Sequence, residues 1–159
     1  MDAIVAVYSD WGIGDGGTQP VVLKADRRHF REVTAGATVI VGRKTLADFP
    51  GGKPLKNRRN IVITRSDITI EGADVVHSAE EAYAAGKDDP KCLIIGGASV
   101  YRNMFPMTDR VFLTKIRLTP HSDSYYPNLD EDPSFRCTEE GPWQEEDGIE
   151  YRFCTYERV

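Results

Sequence analysis

The sequence predicts an α/β fold, with a central, mostly parallel twisted sheet, helices on both faces and a C-terminal antiparallel hairpin at the edge. Three observations predict it. Short apolar, β-branched runs alternate with stretches of helical period along most of the 159 residues. The runs at residues 3–8 and 92–95 are apolar without interruption and residues 38–41 are all β-branched, as suits strands covered on both faces. The tail alternates with period two instead, the pattern of strands with one wet face.

Each element follows from local pattern. Residues 3–8 (AIVAVY) form a buried strand. Residues 12–17 (GIGDGG) look like a dinucleotide fingerprint, but Thr18, Gln19 and Pro20 follow where that motif needs a helix start. The segment therefore reads as a loop, either an ordinary turn or a lid over a site. Residues 23–34 read as a helix on which Leu23, Asp26, Phe30 and Val33 share one face, with Arg27, Arg28, Arg31 and Glu32 on or toward the others. Residues 38–41 (TVIV) are a strand, followed by Gly42 and a short helical stretch; residues 60–64 (NIVIT) and 74–76 are two more strands. Ser78 caps a helix running to about residue 85, with Glu81 in the capping-box position. Residues 92–95 are a buried strand ending in Gly96 and Gly97, and a helix follows to about Met104. Residues 110–116 are a strand, and residues 134–139 and 149–157 make the edge hairpin through a turn rich in glycine and acids. The length fits one domain over residues 1–159, without repeats or linkers.

Composition narrows the function. Hydrophobic residues make up 40% and charged residues 28%, a soluble globular balance. The net charge of −5 opposes a nucleic-acid partner. No run approaches the roughly 20 apolar residues that span a bilayer, and the first residues lack the basic start of a signal peptide. Cys92, Cys137 and Cys154 are odd in number and show no CxxC spacing, which predicts reduced thiols in a cytoplasmic protein. His29, His77 and His121 lack ligand spacing, so no metal site is expected.

Asp26 is the most informative residue: a lone carboxylate on the apolar face of a highly charged helix. Burial would make it hold a proton unusually well; alternatively it offsets the macrodipole near the helix start. Three strand ends carry further chemistry. Gly42 opens onto Arg43, Lys44 and Thr45, Gly96 and Gly97 onto Ala98 and Ser99, and a third strand ends in Thr64, Arg65 and Ser66. Backbone N–H groups, helix starts and arginine forks at one sheet edge suit a ligand with several phosphates, such as a phosphorylated dinucleotide. Lys53, Lys56, Arg58 and Arg59 form a basic stretch, either a solvated loop or a clamp for a substrate carboxylate.

In order, the segments IVAVYSDWGIG, LKADRRHF, VIVGRKT, FPGGKPLKNRRNIVITRS, LIIGGASVY, VFLTKI and DSYYP resemble the dihydrofolate reductase family over about residues 3–157. The resemblance implies NADPH-dependent reduction of 7,8-dihydrofolate to 5,6,7,8-tetrahydrofolate, with hydride going to C6 and a proton to N5. It further implies a monomer without nucleic-acid or membrane partners that also takes folate-like inhibitors. Asp26 and Thr114 match the catalytic acid and the threonine bonded to it. Val5, Ala6 and Ile95 match the pterin pocket, with the carbonyls of Val5 and Ile95 facing the ring. Phe30, Phe49 and Leu55 match the walls around the aminobenzoyl group, and Arg58 the clamp on the α-carboxylate. Ala6, Ile13, Gly14, Ile95, Gly96, Gly97, Ala98, Ser99, Val100 and Tyr101 match the nicotinamide and pyrophosphate path, with Gly96-Gly97 as the family's cis peptide. Gly42, Arg43, Lys44, Thr45, Thr64, Arg65 and Ser66 match the side holding the adenine-ribose phosphates.

Four departures stand out against that family. Val21 follows Pro20 where tryptophan is usual, which removes a donor for an ordered water near the acid. Gln19 stands where many bacterial members have methionine, and Arg27 where an apolar residue is common. Asp15, Gly16 and Gly17 predict a more flexible lid over residues 12–21. Two rivals share parts of the pattern. A riboflavin-pathway pyrimidine reductase would not need the acid in LKAD, and a non-catalytic pterin or nucleotide binder would not need Asp26, Thr114 and Arg58 together.

Overall fold

In the chain, apolar strands that must hide both faces meet amphipathic helices that must hide one. The computed structural model, which describes residues 1–14 and 19–159, shows how they combine. The elements are β1 (Asp2–Tyr8), β2 (Gly12–Gly14), α1 (Lys24–Thr34), β3 (Thr38–Gly42), α2 (Arg43–Ala47), β4 (Arg59–Ile63), β5 (Ala73–Val76) and α3 (Ala79–Gly86). They continue as β6 (Cys92–Gly96), α4 (Ala98–Met104), β7 (Arg110–Ile116), β8 (Ser124–Tyr125), β9 (Phe135–Glu140), β10 (Gln144–Glu146) and β11 (Ile149–Arg158).

Among the described residues one nine-stranded sheet runs in the order β10-β11-β7-β1-β6-β3-β4-β5, with β9 also paired to β11. The pairs from β7 through β5 are parallel, and β11 runs antiparallel to β7. Side-chain alternation divides the core. Ile40 of β3 and Ile61 of β4 face α3 and α4, packing with Ala82, Val100 and Met104. Val39, Val41 and Val62 face the other way and pack with Leu46, Phe30 and Val33 of α2 and α1. Both layers need apolar residues, which is why these strands read as unbroken apolar runs.

The tail is more elaborate than one hairpin. On its free edge β11 pairs with β10 near Ile149–Tyr151 and with β9 from Cys154 to Arg158. Trp143 in the link is met by both Arg117 and Arg152, at 3.9 and 4.7 Å from the ring centroid. A second small sheet of β2 and β8 carries no periodic signal in a run of three residues. The capping box at α3 is offset: Ser78 accepts from the Glu81 N–H, but the Glu81 carboxylate accepts from the N–H of His77. Cys92, Cys137 and Cys154 are free thiols. A register shift between β9 and β11 brings Cys137, Cys154 and Glu140 to within 4.8 Å of one another, a proximity their sequence spacing does not reveal. Among the described residues no helix is long and apolar enough to cross a membrane.

What positions the site is a split in the sheet. The β1–β6 ladder registers only Asp2 with Leu93 and Ala3 with Ile94, whereas β1 stays paired to β7 as far as Tyr8 and Ile116. Across β6, the register with β3 shifts so that Val41 meets Gly96 and Ile95 is left over. The chain leaves β1 toward β3 and leaves β6 toward β7, in opposite directions, so the crevice opens at a topological switch point.

One buried side chain ties the basic loop to this frame. Asn60, 1% exposed, accepts from the Leu55 N–H at 3.0 Å and donates to the carbonyls of Leu55 and Arg58 at 2.9 and 3.0 Å. Asn60→Ala should cost about 2 kcal/mol of stability by stranding these groups. Urea unfolding of both forms checks this; an unchanged midpoint would mean that the loop holds itself in place.

Candidate active site

The split opens into a cleft of about 2020 Å³, larger than one drug-sized ligand needs and large enough for two ligands side by side. Its first bank is α1. Asp26 and Phe30 project from the helix into the cleft, because the periodicity that buries Leu23, Phe30 and Val33 carries Asp26 with them. Behind Asp26 lies Thr114 of β7, 1% exposed, whose hydroxyl donates to Asp26 Oδ1 at 2.7 Å.

Burial raises the Asp26 pKa above the usual carboxylate range. The Thr114 bond and the neighbouring His29 oppose that rise, and the Glu146 charge adds to it. His29 stacks on Phe153 at 4.0 Å between ring centroids, and burial lowers its own pKa. Asp26 is therefore a partly desolvated acid held by one hydroxyl, poised to keep its proton.

At one end of this bank Phe30, Phe49 and Leu55 pack against the α1–α2 side of the core and also line the cleft. Arg58 closes that end. Its guanidinium donates to Thr34 Oγ1 at 2.9 Å, to the Lys56 carbonyl at 2.7 Å and to the Arg31 carbonyl at 3.3 Å, so the C-terminal turn of α1 fixes its direction. Burial, and then the charge of Arg31, lower its pKa. Arg27 and Arg31 line the same end, making it strongly cationic.

The second bank is glycine-rich and basic. Ile13 and Gly14 come from β2, and Gly42, Arg43, Lys44 and Thr45 from the β3–α2 junction. Thr64, Arg65 and Ser66 follow β4, and the run from Ile95 through Tyr101 spans the end of β6 and the start of α4. Arg43 donates to Ser66 Oγ at 3.4 Å. Gly96-Gly97 is a cis peptide. A Cβ on Gly97 would lie 2.6 Å from Thr45 Oγ1, and one on Gly42 3.1 Å from Val100, so glycine at both positions lets the two turns pack closely. With five residues in α2 and seven in α4, the positive potential comes mainly from Arg43, Lys44 and Arg65 rather than from aligned helix dipoles.

The cleft gathers the residues singled out in the sequence, with three differences. Thr114 stands behind Asp26 rather than on the wall, since β7 is covered by α1. The carbonyl expected of Val5 belongs to its neighbour: Ile4 accepts from the Tyr101 hydroxyl at 2.7 Å across the split, and alternation along β1 turns the Val5 carbonyl the other way. Val21 packs on the cluster of Ala6, Tyr8, Leu23, Ile116 and Tyr151, whereas Val22, 46% exposed, lines the cleft. The proposed lid falls partly on Asp15, Gly16, Gly17 and Thr18, outside the described residues, and Gly12–Gly14 is strand β2. His77, Ser78 and Arg102 also line the second bank. His77 and Ser78 follow β5, the neighbour of β4, so strand adjacency alone could have brought the first two in. His77 Nδ1 lies 2.9 Å from the Thr64 carbonyl.

An acid-bearing bank facing a cationic, glycine-lined bank at a switch point defines a two-ligand α/β site, one ligand carrying several negative charges. Comparison with known proteins gives the family. A dihydrofolate reductase profile matches residues 1–158. Dihydrofolate reductase of Bacillus subtilis is 34% identical over 157 residues, covering 98% of this chain and 92% of the relative. The Mycobacterium tuberculosis protein of that name is 38% identical over 152 residues, covering 92% and 90%. The solved structure of dihydrofolate reductase from Enterococcus faecalis, complexed with NADP(H) and RAB-propyl, superposes with a TM-score of 0.87 at 30% identity, covering 99% of this chain and 95% of that one. The chain belongs to the dihydrofolate reductase family.

The raised Asp26 pKa has a signed consequence. A carboxyl whose folded pKa exceeds its unfolded value contributes full stability below the unfolded pKa and loses it as pH rises through the folded pKa. Asp26→Asn keeps an oxygen for Thr114 and removes the charge. It should match or exceed the parent in stability above that window and lose the advantage in acid. Thermal melts across pH check this; a variant less stable at neutral pH would contradict it.

Proposed function

We propose that this chain reduces 7,8-dihydrofolate to 5,6,7,8-tetrahydrofolate in the cleft between β1 and β6. The observation that carries the reading is the Asp26–Thr114 pair, a proton-holding acid inside a cleft whose other bank is cationic. NADPH, when bound, supplies the hydride that reaches C6 of the pterin. The second bank fits that cofactor: Arg43, Lys44 and Arg65 present cations for its phosphates, and the closely packed turns at Gly42 and Gly96-Gly97 let a ligand approach the backbone. Ala6, Ile13, Gly14, Ile95 and Tyr101 bound its inner end, where Thr64, Ser66 and residues 98–100 continue the wall outward.

Asp26 hydrogen-bonds the pterin and favours protonation at N5, with Thr114 holding the carboxyl in place. Val5, Ala6 and Ile95 enclose the ring; Phe30, Phe49 and Leu55 flank the aminobenzoyl group and exclude water. Arg58, aimed by Thr34 and two carbonyls, pairs with the α-carboxylate of the tail. The same bank takes folate-like inhibitors.

A spectrophotometric assay of NADPH oxidation with dihydrofolate tests the reading, and the single-turnover rate should fall as pH rises through the Asp26 pKa. Folate binding without turnover would favour a binder, and turnover only with a flavin precursor the related pyrimidine reductase. Arg58→Leu should weaken dihydrofolate about tenfold or more while sparing a pterin that lacks the tail; equal weakening of both would make Arg58 structural. Arg65→Ala should weaken NADPH by roughly tenfold or more while sparing NADH, because Arg43 and Arg65 end neighbouring strands where the 2′-phosphate would lie. Added salt should narrow the wild-type preference for NADPH. Equal use of both cofactors by the wild-type chain would refute this role of the arginines.

A further inference from the structure

Helix α1 carries Asp26 but does not cap itself. Its N-cap residue is Leu23, which offers no side-chain acceptor. The carboxylate of Glu146, at the end of β10, supplies the cap from far along the chain: Oε2 accepts from the Lys24 N–H at 2.7 Å and Oε1 from the Ala25 N–H at 2.9 Å. On the other side Tyr8, 2% exposed at the end of β1, grips the residue two positions before Leu23. Its hydroxyl accepts from the Val21 N–H at 3.1 Å and donates to the Val21 carbonyl at 3.2 Å. Residues 21–25 are thus held at both ends by groups from two distant strands, immediately before Asp26.

We propose that Glu146 and Tyr8 are positioning residues for the reduction: together they fix the entry of α1 and so seat Asp26 against Thr114. The proposal rests on the role given to Asp26 above. The two grips differ in electrostatics. Asp26 feels Thr114 from β7, His29 from its own helix, Tyr8 from β1, Tyr101 from α4 and Glu146 from β10. Among these, Glu146 is the standing negative charge, and its backbone bonds to Ala25 and Lys24 lower its pKa so that it stays ionised. It favours the proton on Asp26, in the same direction as burial. Tyr8 is neutral, and burial raises its pKa.

The test compares the wild-type chain with Glu146→Gln, Glu146→Ala and Tyr8→Phe. Two readouts are needed: single-turnover reduction of dihydrofolate across pH, and the titration of Asp26 in the free protein by carbon-13 NMR of labelled aspartate. Glu146→Gln keeps an acceptor for the helix and removes the charge, so both the NMR titration and the midpoint of the rate profile should move to lower pH. Glu146→Ala and Tyr8→Phe loosen the seat and should lower the hydride-transfer rate on the order of tenfold, with KM changing less than kcat. An Asp26 titration that stays in place in Glu146→Gln, or Ala and Phe variants that lose thermal stability at unchanged rate, would overturn the proposal. The NMR arm needs no substrate, so a wild-type chain that fails to turn over dihydrofolate would count against the functional reading and leave this measurement to judge the cap.

Discussion

The site depends on one interruption of backbone pairing. If β1 and β6 stayed hydrogen-bonded beyond Ala3 and Ile94, the central sheet would close and there would be no cleft. Their separation frees peptide groups that must find other partners, because a buried unpaired carbonyl is costly. One of them, the Ile4 carbonyl, takes the Tyr101 hydroxyl from α4. The register shift that leaves Ile95 over belongs to the same opening. The neighbouring ladder from β1 to β7 remains intact through Tyr8, so the split is local and the wall behind it stays rigid.

That rigid wall makes the acid useful. A carboxylate on a mobile loop would be solvated and ordinary. Asp26 instead sits on a helix whose apolar face is packed on the sheet, and its hydroxyl donor comes from a buried strand. Desolvation is then unavoidable, and a single neutral donor does not cancel it. The opposite bank has the reverse character: its cations stand on strand ends and short turns, where they can meet phosphates. One cleft therefore holds a group that favours protons and a set of groups that favours anions, separated by the width of the split.

Much of this was legible in the sequence because it rests on side-chain period. The spacing of Leu23, Asp26, Phe30 and Val33 gave the helix face, and the glycine-to-arginine strand ends gave the second bank. The strand at residues 60–64 came out one position early, at Arg59–Ile63, within the ordinary fraying of such boundaries. What escaped was whatever depends on register or on distant partners. Side chains do not reveal which carbonyl of β1 faces the split, so Val5 stood in for Ile4. Gln144–Glu146 has no apolar alternation, and its strand exists only because Ile149–Tyr151 lies beside it. The direction of residue 21 is set by its contacts with Tyr8 and Tyr151 and not by its own neighbours in sequence.

The cap on α1 also has a consequence for the order in which the molecule can be assembled. The helix bearing the acid lies near the start of the chain, yet the carboxylate that satisfies its first N–H groups is residue 146, and the strand that supplies Thr114 is flanked by β11. A nascent chain still missing its last strands would have α1 with free amide ends and β7 with an open edge. Such a partial chain could bury much of its core but could not hold Asp26 in its finished setting. Synthesis from N- to C-terminus thus leaves the setting of Asp26 to be completed by the last strands of the chain.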